Sequence, residues 1–137
     1  MNKTYEEYKQ YFEEKTGDKC ITPEGFSVYY LPNRGFAEYA IHSGWKMLMI
    51  CNVSGDGRFW YDVGKLLCRL HNMKYLGALT SHNINAFARL FGFRHPKIDG
   101  NLVTFTNEAG ETIVFRPEYI DDQKKQVWSA TVEVSNV

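Results

Sequence analysis

Residues 45–53 read Trp-Lys-Met-Leu-Met-Ile-Cys-Asn-Val and are followed directly by Ser-Gly-Asp-Gly. A short run this apolar is the pattern of a strand buried on both faces. The glycine-containing break ends it, and from Arg58 the apolar period changes. Trp60, Val63, Leu66, Leu67, Leu70 and Met73 make one stripe of an amphipathic helix that ends near 72–74. A buried strand, a tight break and such a helix form the start of a strand–helix–strand crossover, with 75–81 as the next strand. Unpaired N–H groups and the helix dipole converge where a helix follows a strand. The junction at 52–59, "NVSGDGRF", is therefore where a phosphate-bearing ligand would be sought.

The other elements are shorter but well marked. Residues 4–16 open with Thr4 as N-cap and Glu6 and Glu7 in the first turn, and Gly17 stops the helix. Tyr8, Tyr11 and Phe12 fall at helical spacing and are expected to face the core. Strands are expected at 26–32 and 36–44 around the turn "PNRG". A helix at 84–91 stops at Gly92 and drops into a new strand, and "LVTFT" and "TIVFR" form a hairpin across "NEAGE". Residues 126–135 alternate like a half-exposed strand. With no repeat or linker in its 137 residues, the chain reads as one α+β domain.

Charge narrows the class of partner. Sixteen basic and sixteen acidic residues cancel without long blocks of either sign, so no broad nucleic-acid or anionic-membrane footprint is expected. The charged N-terminus does not read as a signal peptide, and no apolar run approaches a membrane span. Cys20, Cys51 and Cys68 are odd in number and far apart, fitting neither a disulfide framework nor a metal pair. They read as buried thiols of a cytoplasmic protein. His71 and His95 have no partners at ligand spacing, so no metal site is expected.

The element order, with Leu66-Leu67 in the long helix and Gly92-Phe93 after the short one, resembles the Gcn5-related N-acetyltransferase superfamily over residues 25–107. The resemblance implies a mixed, mostly antiparallel central sheet flanked by helices, with the C-terminal strand as an extension beyond the family core. It implies that acetyl-CoA enters a gap where 45–53 splays from 75–81, for transfer of the acetyl group to an amine. Backbone N–H groups near Asn52 and Val53 would polarise the thioester. Gly57 and Arg58 would hold the pyrophosphate, and Ser81 and Asn83 would line the cofactor arm. The family's two small pyrophosphate-loop positions fall on Tyr61 and Val63 here, and its tyrosine acid falls on Ala88. The run at 45–53 has no carboxylate, so a general base is expected from Glu38 or His42 on the preceding strand. Polar residues on such a strand ordinarily face solvent.

The alternative is a fold kept without its catalysis, as in acetyltransferase-like proteins of bacteriophages that serve in virions or against host functions. Its partner would be a virion or host protein rather than an amine-bearing small molecule or protein. The strand at 126–135 offers a route to a homo-oligomer if it pairs with another subunit's sheet edge.

Overall fold

A computed structural model of the chain describes residues 2–134. It is an α+β fold: an eight-stranded, mostly antiparallel sheet flanked by three α-helices, consistent with a mixed acetyltransferase-like architecture. Helix α1 is Tyr5–Thr16, followed by β1 Ser27–Leu31, β2 Gly35–His42 and β3 Met47–Gly55. Helix α2, Gly57–Leu70, leads to β4 Tyr75–Thr80 and α3 Ile84–Leu90. The chain closes with β5 Arg94–Asp99, β6 Leu102–Thr106, β7 Thr112–Ile120 and β8 Gln126–Glu133. The sheet order is β1-β2-β3-β4-β8-β7-β6-β5, and β3 with β4 is the parallel pair. Among the described residues no helix is long and apolar enough to cross a membrane.

Local chemistry explains the ends of α1. Thr4 Oγ1 accepts from the Glu7 N–H at 3.1 Å while the Thr4 N–H donates to Glu7 Oε1 at 2.9 Å, a reciprocal cap. Gly17 ends the helix at φ 77°, where its N–H reaches the Glu13 carbonyl. Tyr8 is buried, but Tyr11 is 43% exposed and does not join the core.

Strand alternation splits the interior in two. Ala37, Tyr39, Leu48 and Ile50 face α2 and α3 in the main core, with Trp60, Phe93, Phe105 and Phe115. On the opposite face, Phe36 packs with Tyr8 and Cys20 under α1.

Several boundaries move. Trp45 lies in a short 3-10 turn, so β3 begins at Met47, and Ser54 and Gly55 extend it into the expected break. Cys51 is exposed, so β3 is not buried along both faces and only Cys20 and Cys68 are buried thiols. Helix α2 ends at Leu70, and Leu66 and Leu70 of its stripe are 55% and 69% exposed. Strand β7 continues past Arg116 because Pro117 sits at a register shift, where its missing N–H is tolerated. The C-terminal strand is not an edge: β8 lies between β4 and β7, hydrogen-bonded on both sides, and offers no free pairing surface. Ser135 of that expected strand lies outside the described residues.

Glu111 ties α2 to the β6–β7 turn. Its carboxylate accepts from Asn107 Nδ2 at 2.8 Å, Tyr61 Oη at 3.0 Å and Lys65 Nζ at 3.1 Å. Burial pushes this carboxyl's pKa up, but the bonds from Asn107, Lys65 and Tyr61 outweigh it and hold the group below its ordinary 4.5. A depressed carboxyl stabilises the fold above its unfolded pKa, and that contribution is lost as pH falls through the folded value. Urea melts should therefore show wild type more stable than Glu111→Gln at neutral pH. The gap should close once pH falls below the ordinary carboxylate range; a gap that does not change with pH overturns this account.

Candidate functional site

The parallel pair is where the sheet opens. β3 and β4 are paired only at Met47–Tyr75, Leu48–Leu76 and Met49–Gly77. Beyond them, residues 50–55 and 78–80 run on without pairing to each other. The cause lies on the other side of β3. Ala37 pairs with Val53 but Tyr39 pairs with Ile50, so Cys51 and Asn52 together face Glu38. Such a bulge bends its strand and strengthens the local twist, which carries β3 away from β4.

Glu38 fills the bulge. It is fully buried, and its Oε1 accepts from Asn52 Nδ2 at 2.8 Å and from the Asn52 N–H at 3.3 Å. Thr22 Oγ1 donates to Oε2 at 2.6 Å. The expected solvent-facing glutamate is thus an interior acceptor, and the Asn52 N–H proposed for a thioester carbonyl is already spent on it. Its flanks carried the signal: Phe36 and Ala40, two positions away on either side, share its face and are apolar. His42 does not join Glu38. It stacks on Trp45 at 3.8 Å on the exposed end of β2, where its Nδ1 accepts the Trp45 N–H.

One side of the opening is covered by the loop after α1. Asn52 Nδ2 donates to the Ile21 carbonyl at 3.0 Å, and Asp18 Oδ2 lies 2.6 Å from His82 Nε2 beyond β4. The segment 18–22 therefore spans both parted strands. The other side is filled by rings. Tyr61 packs edge-on against Phe93 at 5.3 Å, and Phe87 meets Phe91 at 5.1 Å. With Ile50 and Ala78 they leave an apolar cavity of about 20 Å³. That is room for roughly one water-sized sphere with nothing to bond it.

The start of α2 is closed as well. Asp56 is the N-cap; its Oδ1 accepts the Phe59 N–H at 3.1 Å and its Oδ2 is 2.7 Å from Arg34 Nη1. A carboxylate there already satisfies the helix end that a phosphate would use. A Cβ on Gly57 would come within 2.4 Å of the Leu90 carbonyl oxygen, so the end of α3 presses on this junction. Arg58 is brought against Gly92, its Nε 3.0 Å from where a Cβ would stand. Val53 packs into the main core. Asn83 caps α3, accepting from the N–H groups of Asn85 and Ala86, and Ser81 is half-buried just before it. Ala88 is fully buried, so no space for a tyrosine exists at that position.

The Cys20 thiol and the Tyr61 hydroxyl near the opening are both held in their protonated forms. Burial, then the Glu38 charge, pushes the Cys20 thiol up to about 11. Burial pushes the Tyr61 hydroxyl up, reinforced by Glu111. Among the described residues no three His, Cys, Asp or Glu side chains converge as metal ligands do.

Fold and site together define an α+β chain with a splayed, mostly antiparallel sheet whose opening is filled by its own side chains. No family model, curated protein or solved structure matches the chain.

Proposed function

We propose that this chain keeps an acetyltransferase-like sheet without acetyl-CoA chemistry and works as a protein-interaction component. The observation that carries this reading is the closed start of α2. Asp56 caps it, the Leu90 carbonyl lies over Gly57, and Tyr61 occupies the core rather than leaving backbone for phosphates. The aromatic filling between β3 and β4 supports the same reading, because a pantetheine arm would have to displace Tyr61 and Phe93. These residues do not fit acetyl-CoA. A virion or host protein of the kind met by phage acetyltransferase-like proteins is the partner class this reading carries, with the host cytoplasm or the virion as its place.

One arrangement favours acetyl transfer to an amine as a second reading. The strands do part, and a buried carboxylate, Glu38, stands beside the opening. Calorimetric titration of CoA and acetyl-CoA into wild type and Arg58→Ala separates the two. No heat of binding at millimolar ligand, and no transfer across a panel of amines, is expected. Binding that Arg58→Ala abolishes would overturn the interaction reading in favour of the second.

A further inference from the structure

We propose that the chain pairs with a second copy of itself through β1, joining two eight-stranded sheets across a two-fold axis. The inference stands independently of whether acetyl-CoA binds. The two edges of the sheet differ. The β5 edge carries Arg94, Pro96 and Lys97, a left-handed His95 at φ 61° and a register shift between Arg94 and Lys97. Charge, proline and irregularity are the devices that keep an edge from pairing. The β1 edge has none of them. Its sequence is Ser-Val-Tyr-Tyr-Leu, uncharged and free of proline, in unbroken register with β2 from Ser27–Tyr39 to Leu31–Gly35. Val28, Tyr29 and Leu31 are 41%, 39% and 42% exposed. A strand with one neighbour leaves alternate N–H and C=O groups pointing outward, open to another strand.

The strand's own sequence selects the occupant. An antiparallel register centred on Tyr29 sets Tyr29 opposite itself, Val28 opposite Tyr30 and Ser27 opposite Leu31. Aromatic and aromatic–β-branched pairs are among the favourable cross-strand neighbours, and no charge meets its like across the axis. A charged partner segment would find no counter-charge on this strand.

The apolar surface continues beside it. Phe59, Val63, Leu66 and Leu70 share one stripe of α2. Phe59, at its start, lies under the Arg34 guanidinium of the β1–β2 turn at 4.7 Å, which brings the first turn of the stripe to that end of the sheet. Stable interfaces bury roughly 1,200–2,000 Å², so the exposed Val28, Tyr29 and Leu31 must be covered together with the β1–β2 turn and Phe59 beside it.

Sedimentation velocity on the full chain over a concentration series tests this. Wild type should sediment as a dimer, and Tyr29→Lys, which sets two like charges on the axis, should halve the mass. Ile98→Lys on the opposite edge should leave the dimer intact. The register is tested by Tyr29→Cys in a Cys51→Ser background. Paired strands hold Cα atoms about 4.5–5.5 Å apart, within disulfide range, so oxidation should cross-link the chains through position 29. If Tyr29→Lys fails to fold, the cross-link carries the test. A monomeric wild type at every concentration overturns the proposal. So does a dimer that survives a folded Tyr29→Lys, one lost in Ile98→Lys, or an absent cross-link.

Discussion

Gly35→Ala is expected to destabilise the fold by about 4 kcal/mol or more, the scale at which a single substitution becomes exceptional. Gly35 opens β2 with φ 101°, a region costly for any residue with a Cβ. A Cβ there would stand 1.9 Å from the Ser54 carbonyl oxygen and 2.9 Å from the Gly55 Cα. Neither contact is a flexible side chain that can move aside. The turn cannot retreat either, because the Arg34 carbonyl accepts from the Asp56 N–H at 2.8 Å and from Trp60 Nε1 at 2.9 Å. The substitution therefore wedges the β1–β2 turn from the end of β3 and loosens the start of α2. Differential scanning calorimetry should show Tm falling by about 4 °C for each kcal/mol lost in a chain of this size. Gly110→Ala is the control: it shares a positive φ of 80° but has nothing within 4 Å. Its cost should be only about 1 kcal/mol, that of the backbone conformation alone. Equal losses in the two variants would refute the close-approach argument.

Glu38→Ala should cost about 3 kcal/mol, whereas Glu38→Gln should cost about 1 kcal/mol or less. The alanine variant leaves a cavity in a fully buried site and strips the acceptor from Thr22 Oγ1, Asn52 Nδ2 and the Asn52 N–H. Buried donors without a partner carry the full desolvation penalty. Glutamine keeps the network: its carbonyl accepts from Asn52, and its amide donates to Thr22, whose hydroxyl can accept. The contrast, read from urea denaturation at neutral pH, distinguishes a carboxylate held for the bulge from one held for proton transfer. If Gln proves as costly as Ala, the ionised charge itself matters there, and a chemical role for Glu38 regains support.

The element order was legible because it rests on local signals. Thr4 and Gly17 bracket α1, the period change at Arg58 marks α2, and Gly92 ends the short helix. Less of the site was legible. Asn52, Arg58 and Asn83 lie along the opening or at its rim, but Asn52 is bonded to Glu38 and the Ile21 carbonyl, Asn83 to the start of α3, and Arg58 lies against Gly92. Loop 18–22, with Asp18 and Thr22, has no local signal for its place across the opening, because the contacts that hold it there are distant along the chain: Asp18–His82 spans 64 positions and Thr22–Glu38 spans 16. The C-terminal strand showed the right alternation, but alternation does not say which neighbours a strand takes.

Apolar spacing, caps and glycines determined the elements, since each acts within a few residues of itself. The closing of the gap was decided only in three dimensions. A bulge at Cys51–Asn52 turns β3 from β4, and the space is taken by Tyr61, Phe87 and Phe93 from separate elements and by a loop from the other face. Whether a splay becomes a binding cleft or part of the core depends on the volumes brought to it by distant segments, and no local pattern records that sum.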